Sequence, residues 1–505
     1  MPNVVLITSD QHRGDCFGFA GRRVKTPVLD RMSRDGTRFD LCLTPNVVCQ
    51  PARASLLTGL LPGTHGVVDN GYDLPTGTGE AGFAGRCRAA GLRTGFIGKA
   101  HFATSHTFAP TGSPECRESS ARYGADWFGP YMGFEHVELV VEGHNNWLPM
   151  RPPRGQHYER WYYADGDGDT RNRLYQTHLS PDVGAVQTWS SALPIEWHNS
   201  TWVTDRSVAF LADMKARNEN FVLWASYPDP HHPFDAPAPW CFAHHPDEVD
   251  LPPHRTLDLE RRPWWHAAAY SGSADPRVVR IRGSFNNAPP QTDLQLRHLI
   301  ANYYGMIALI DACVGRLLES LEWLDLKDDT YVIFTSDHGE WLGDHGLMFK
   351  GPMLYEGLVR VGLIVTGPTV PAGQVIEEPV STLDLAATIA GLAGADASGT
   401  QGTSLQPMLG LERPTRDFAY NEWDLDETRC GVALNLRLVR TKRYKLCIDA
   451  LSGAGELYDL HDDPFEAINR YDDPGLRSVQ SELQDMIASR PAGRCEPQLE
   501  RVGMA

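Results

Sequence analysis

Cys49 stands immediately before Gln50-Pro51-Ala52-Arg53, and Ala54-Ser55-Leu56-Leu57-Thr58-Gly59 follows at once. This order predicts a short helix with proline in its first turn and glycine at its end. Cys49 then lies at the helix N-terminus, where unpaired N–H groups and the dipole favour a bound anion. Arg53, one turn on, projects from the same face. A thiol, a helix N-terminus and a guanidinium together suit chemistry on an oxyanion.

Four polar clusters elsewhere complete a candidate site. Asp10-Gln11 and Asp337-His338 each follow the same Thr-Ser dyad, Thr8-Ser9 and Thr335-Ser336, at the end of an apolar run. Two carboxylates, an amide oxygen and an imidazole are hard or borderline donors, suited to Ca²⁺ or Mn²⁺ better than to a thiolate-bound zinc. Singly, Asp10 and Asp337 read as caps of the turns that follow them; as matched pairs on separate strands they read as ligands. Lys99 and His101 close another run, and His231 and Lys350 flank proline- and glycine-rich loops. Lysines beside a metal can hold the remaining oxygens of a tetrahedral anion, and histidines can move protons near neutral pH. Of His231 and His232 one is expected to be structural, and His231 is favoured as the working residue. His65 and His345 read as packing or turn residues.

The elements that must position these groups are short, β-branched apolar runs: residues 4–8, 94–97, 221–225 and 331–335. Such runs fit strands covered on both faces, and amphipathic segments 204–214 and 299–321 fit the covering helices. The fold expected is α/β, a mixed, mostly parallel central sheet flanked by helices. Ligands in such sheets bind beyond the carboxyl ends of the strands, so clusters hundreds of residues apart can converge. Residues 116–194 and 233–290 lose the periodicity and read as long insertions rich in aromatic and turn residues. After residue 399 the pattern changes to alternating strands and one helix, a small α+β domain. The division expected is a catalytic part over 1–398 and a smaller domain over 399–505.

A chain of 505 residues with 42% hydrophobic and 22% charged content can bury a large core. A net charge of −18 argues against a general affinity for nucleic acid or an anionic membrane, and slightly favours a small monoanionic substrate over a polyanion. Met1-Pro2-Asn3 leads straight into the first apolar run, with no leader and no bilayer-spanning stretch, so a cytoplasmic location is expected. The ten cysteines form no CxxC pair and are expected to be free thiols in the core.

With these residues in view a family resemblance is plain. Residues 49–59 resemble the signature of type I sulfatases, in the alkaline phosphatase superfamily. Gly95-Phe96-Ile97-Gly98-Lys99-Ala100-His101 is similar to their second signature, with Ala100 where tryptophan is commoner. Residues 336–346, continuing to Lys350, are similar to their later metal segment. The resemblance implies that Cys49 is the precursor of formylglycine, made by a formylglycine-generating enzyme. One hydroxyl of the hydrated aldehyde would attack sulfur and leave a covalent sulfate ester, and the other would expel sulfate. It further implies that His231, helped by Lys350, protonates the leaving group and that His101 takes the proton from the second hydroxyl. Lys99 and Lys350 would bind sulfate oxygens, and Arg53 would hold the hydrate and its charge. Asp10, Gln11, Asp337, His338 and residue 49 would hold one divalent ion, Ca²⁺ or alternatively Mn²⁺. The physical logic agrees, because a thiolate suits a hard cation poorly whereas a geminal diol gives a hard nucleophile and an internal exit.

Two positions depart from many calcium arylsulfatases: His338 and Gln11 replace asparagine and aspartate. Similar sites occur in choline sulfatases and in phosphonate and phosphodiester monoester hydrolases. Asn70 matches a substrate-contacting asparagine of that branch, against its plain reading as a turn residue before Gly71. Lys99 is the lysine of true sulfatases. The expected activity is hydrolysis of a small organic sulfate ester, with promiscuity toward phosphoesters. The alternatives are a phosphonate monoester or phosphodiester hydrolase on the same site, and a metal-dependent binding protein with an unmodified thiol. The aromatic insertions fit a quaternary ammonium cage, a stacking surface or the interface of a homo-oligomer.

Overall fold

The apolar runs become strands of one sheet. The computed structural model describes residues 1–144, 148–271, 288–410 and 416–504. In chain order the strands are β1 (Asn3–Ser9), β2 (Thr37–Leu43), β3 (Arg93–Gly98), β4 (His136–Leu139), β5 (Phe221–Ser226), β6 (Thr330–Ser336), β7 (Arg360–Thr366), β8 (Gln374–Ile376) and β9 (Val380–Ser381). Their spatial order is β4-β3-β5-β1-β6-β7-β2-β8, with β9 also paired to β2. Only β7 runs against its neighbours; the remaining pairings are parallel.

β1 lies between β5 and β6 and is buried along all seven residues. Its alternate side chains serve two cores. Val4 and Leu6 join Phe96 and Trp224 on the face covered by α2 (Cys49–Thr58). Val5 and Ile7 join the opposite face, covered by α1 (Pro27–Asp35), α3 (Asn199–Arg217) and α4 (Asp293–Trp323). That division is the period of two that every strand imposes on its side chains. The two long helices extend well beyond the expected 204–214 and 299–321.

A second, four-stranded antiparallel sheet is formed by β10 (Ala419–Leu425), β11 (Leu434–Arg440), β12 (Tyr444–Asp449) and β13 (Gly455–Asp459), followed by α5 (Arg477–Ala488). Trp423, Leu436 and Tyr458 of this sheet share a core with Leu41, Leu43 and Trp341. One expectation needs correction: the irregular stretch 116–194 carries β4, an edge strand of the main sheet. Four residues, His136-Val137-Glu138-Leu139, are too few to reveal a period. Part of the stretch 233–290, residues 272–287, lies outside the described residues. Among those described, all ten cysteines are free and no helix is long and apolar enough to cross a membrane.

Candidate active site

The register of the central strands assembles the site. β1 and β6 pair Thr8 with Thr335 and Ser9 with Ser336, so the residues that follow, Asp10 and Asp337, leave the sheet side by side. β3 pairs Gly98 with Ser226 at the end of β5, which brings Lys99 and His101 beside His231. Gly98 is required here, with φ at 118° and a notional Cβ only 1.8 Å from the Ser226 carbonyl oxygen. α2 delivers Cys49 to the same edge. Asn46 Oδ1 accepts from Val48 N at 2.9 Å, Asn70 Oδ1 accepts from Gln50 N at 3.0 Å, and Gly59 ends the helix in the left-handed region.

Every group expected to ligate a metal is buried. One donor atom from each of Asp10, Cys49, Asp337 and His338 lies within 4.8 Å of the others. His338 Nδ1 lies 2.9 Å from the Gly339 carbonyl oxygen; donating there turns the Nε2 lone pair inward. Gln11, at φ 62°, is fixed by its amide group: Nε2 faces Glu340 and His232 Nδ1, which turns Oε1 into the site. Cationic groups already converge on these acceptors. The Lys350 ammonium lies 3.2 Å from Gln11 Oε1, 3.0 Å from Cys49 Sγ, 3.0 Å from His338 Nε2 and 3.2 Å from His231 Nε2. Lys99 Nζ lies 2.5 Å from Asp10 Oδ2. The donor set therefore fits a divalent cation, better still with oxygen in place of sulfur at residue 49.

Arg53 underlies the carboxylates. Its guanidinium donates to Asp337 Oδ2 at 2.9 Å, Asp10 Oδ2 at 3.3 Å, the Lys99 carbonyl at 2.6 Å and Ser226 Oγ at 2.8 Å. Arg53 thus holds the two aspartates, and the neighbouring Cys49 also favours its charge; its expected hold on the hydrate at residue 49 belongs to the proposed function. Burial and Cys49 push the Asp10 carboxyl up, but Lys99, His231 and Arg53 outweigh them and hold it below the usual range. Burial and the neighbouring Asp10 raise Asp337. Burial also opposes ionisation of Cys49, yet Lys350, Lys99 and His338 hold its thiol well below the ordinary value. His101 and His231 both lie within hydrogen-bonding reach of that thiol.

A sulfatase family model matches residues 2–395, and a model of the N-sulphoglucosamine sulphohydrolase C-terminal region matches residues 343–492. The chain belongs to the sulfatase family. It is a hydrolase of sulfuric esters in the alkaline phosphatase superfamily. It is 27% identical to the arylsulfatase of Clostridium perfringens, covering 98% of this chain and 95% of that protein. It is also 27% identical to the choline-sulfatase of Rhizobium meliloti, covering 94% of this chain and 83% of that protein. Among solved structures, the phosphonate monoester hydrolase of Agrobacterium radiobacter superposes with a TM-score of 0.75 at 26% identity, covering 97% of this chain and 95% of that one.

In this sulfatase the expected residues 10, 11, 49, 53, 99, 101, 231, 337, 338 and 350 meet at one edge of the sheet. Asn70 touches the backbone beside Cys49, a positioning contact. His65 and His345 are structural: His65 Nε2 lies 3.0 Å from Ser55 Oγ, and His345 stacks on Tyr355. His232, expected to be structural, orients Gln11, and sequence reasoning missed Glu340, which orients it too, and Ser226, which joins Arg53 to Lys99. It also missed Glu115, whose carboxylate accepts the N–H groups of His101, Phe102 and Ala103 and so fixes His101 at φ 53°. Glu340 lies inside the third motif and was the one with a local signal.

Proposed function

We propose that this sulfatase hydrolyses a small organic sulfate ester, aryl or alkyl, at residue 49. In this reading Asp10, Gln11, Asp337, His338 and residue 49 hold one divalent cation, Ca²⁺ or alternatively Mn²⁺. The carrying observation is the crowding of Lys350 Nζ at 3.0 Å, His338 Nε2 at 3.1 Å and Asp10 Oδ1 at 3.8 Å around the Cys49 sulfur. Conversion of Cys49 to formylglycine would supply a hard oxygen nucleophile, and the cation would supply the charge that activates it.

The chain's own side chains do the remaining work. Lys99 and Lys350 bind the sulfate oxygens, and Arg53 keeps the two aspartates aligned beneath. Burial, Lys350 and Lys99 push the His231 imidazole down to about 3, so it is neutral before substrate arrives. A sulfate seated on those lysines offsets their charge and raises the imidazole. Proton donation from His231 Nε2 to the leaving-group oxygen is thereby tied to substrate binding, with Lys350 3.2 Å away to share the proton. His101 takes the proton that must leave residue 49 when sulfate departs, and Asn70 borders the substrate. All of these residues fall in 1–398, and 399–505 is read as a supporting α+β domain.

A second reading, hydrolysis of phosphonate monoesters, is favoured by the 26% identical phosphonate monoester hydrolase fold and by the Gln11–His338 pair. Mass spectrometry of the peptide containing residue 49, with kcat/KM for matched aryl sulfates and aryl phosphonates, tests both. Formylglycine with sulfate preference is expected. A large phosphonate preference selects the second reading, and an intact cysteine without turnover overturns both.

A further inference from the structure

A cavity of about 690 Å³ lies within the irregular region before β5, in the size range of a small-molecule site. Four arginines line it: Arg117, Arg151, Arg154 and Arg173. Two of them meet exposed acids, Arg151 with Asp169 and Arg154 with Glu118 at 2.7 Å. Such exposed pairs contribute little and open readily to a competing anion. Among the described residues Arg117 and Arg173 have no ion pair, and the lining acid Glu142 faces His106 Nε2 at 3.0 Å. On a chain of net charge −18, this concentration of guanidinium groups in one hollow is the reverse of the average surface.

Part of the lining of the hollow, at Glu142, lies at the same end of the sheet as the catalytic residues. β3 and β4 are parallel and pair Gly98 with Leu139, so His101 and Glu142 each stand three residues beyond that pair. Arg117 N donates to the Ser105 carbonyl, just past His101, at 3.0 Å. β4 pairs directly with β3, the strand that delivers Lys99 and His101.

We propose that this cavity is a subsite for a second anionic group of the substrate, a carboxylate or a further sulfate, carried at a distance from the sulfate that is cleaved. Guanidinium forks match planar carboxylates and tetrahedral sulfates, and the same four charges repel a quaternary ammonium group. The inference rests on the sulfate-ester reading above and names the rest of its substrate.

Bis-sulfates of ethylene glycol oligomers of increasing length, compared with the monosulfates of their monomethyl ethers, form a ruler for the test. For the native enzyme, KM of the bis-sulfates is expected to fall at least tenfold below that of the monosulfates once the chain can span the gap. The Arg117→Gln/Arg173→Gln variant should cancel that advantage and leave the monosulfates unchanged. Equal KM for bis- and monosulfates at every length, or equal losses on both in the variant, would overturn the proposal. Should the native enzyme hydrolyse neither series, the sulfate-ester reading fails by itself. The subsite is then read by calorimetric titration of the bis-sulfates into the Cys49→Ala variant, with and without the arginine substitutions. A tenfold weakening supports it, and no change refutes it.

Discussion

Replacing Arg53 by methionine separates two roles for the most deeply buried cation of the site. The side chain is 0% exposed and makes four hydrogen bonds, two of them to the carboxylates of Asp10 and Asp337. Hydrogen bonds to charged groups contribute about 1.5–3 kcal/mol each, and removing one partner of a buried ion pair costs about 3–5 kcal/mol. Asp10 keeps Lys99, whereas Asp337 keeps the N–H groups of Gln11 and His338 and the His338 imidazole at 3.9 Å, all on its other oxygen. The expected loss is therefore about 4 kcal/mol for the metal-free protein. Excess calcium should shrink that loss, because a bound cation replaces part of the missing counter-charge and stabilises by mass action.

Thermal melts of the native and Arg53→Met proteins, each with chelator and with calcium, measure the difference, and elemental analysis reports the bound ion. Turnover should fall at least a hundredfold, since misaligned aspartates misplace the whole donor set. A melting difference that ignores calcium would refute the role assigned to Arg53. So would a variant as stable as the native protein that had lost only turnover, the result expected if the guanidinium acted on residue 49 directly.

Two further substitutions probe the frame. Gly98→Ala would drive a methyl group against the Ser226 carbonyl that receives Lys99 N at 3.0 Å; a loss of about 3 kcal/mol, seen as a lowered melting temperature, is expected. Asp311 on α4 accepts the N–H groups of Val28 and Leu29, capping α1 from a neighbouring helix, and burial pushes its carboxyl up to about 6. An acid raised in the fold contributes stability that is complete below its unfolded value near 4 and is lost as pH rises through 6. Asp311→Asn should flatten the melting profile between those values by up to about 3 kcal/mol, and an unchanged slope would remove Asp311 as its source.

How much was legible depended on whether a residue's partner was local. The four strands that end in site residues were readable because parallel strands covered on both faces are continuous apolar runs. β2 was not, since Arg38 and Asp40 interrupt Thr37–Leu43, and β10 carries Asn421, Glu422 and Asp424 among its apolar residues. The polar side chains of β10 are satisfied at long range: Asn421 Nδ2 donates to the Thr44 carbonyl, and Glu422 pairs with Arg490 at 2.6 Å. The last residues of the chain show the same limit. Val502 N donates to the Gly71 carbonyl and Arg501 pairs with Asp69 and Asp426, bracing the loop around Asn70 from a segment with no pattern of its own. Cys49, Arg53 and the ligand pairs were legible as short motifs. Glu115 and Ser226 act on neighbours distant in sequence, so only the fold could reveal them.

The matched register of β1 and β6 explains why the site must be cationic. Pairing Ser9 with Ser336 obliges Asp10 and Asp337 to leave the sheet together, and two buried carboxylates at that spacing repel strongly unless positive charge intervenes. Arg53 supplies a fixed charge from below, where its guanidinium has no exposed surface. The remaining charge is exchangeable: the lysine ammonium groups, Lys99 sharing Asp10 Oδ2 with Arg53, and, in the proposed function, a divalent ion. Fixed charge sets geometry without competing for substrate, while exchangeable charge can shift onto an arriving anion. A tetrahedral sulfate or phosphonate presents nearly the same oxygens to those groups, so selectivity between them must come from groups around the leaving alcohol. Under the subsite proposed above, the arginine-lined hollow next to β4 is a place where the substrate can be changed without disturbing the aspartates.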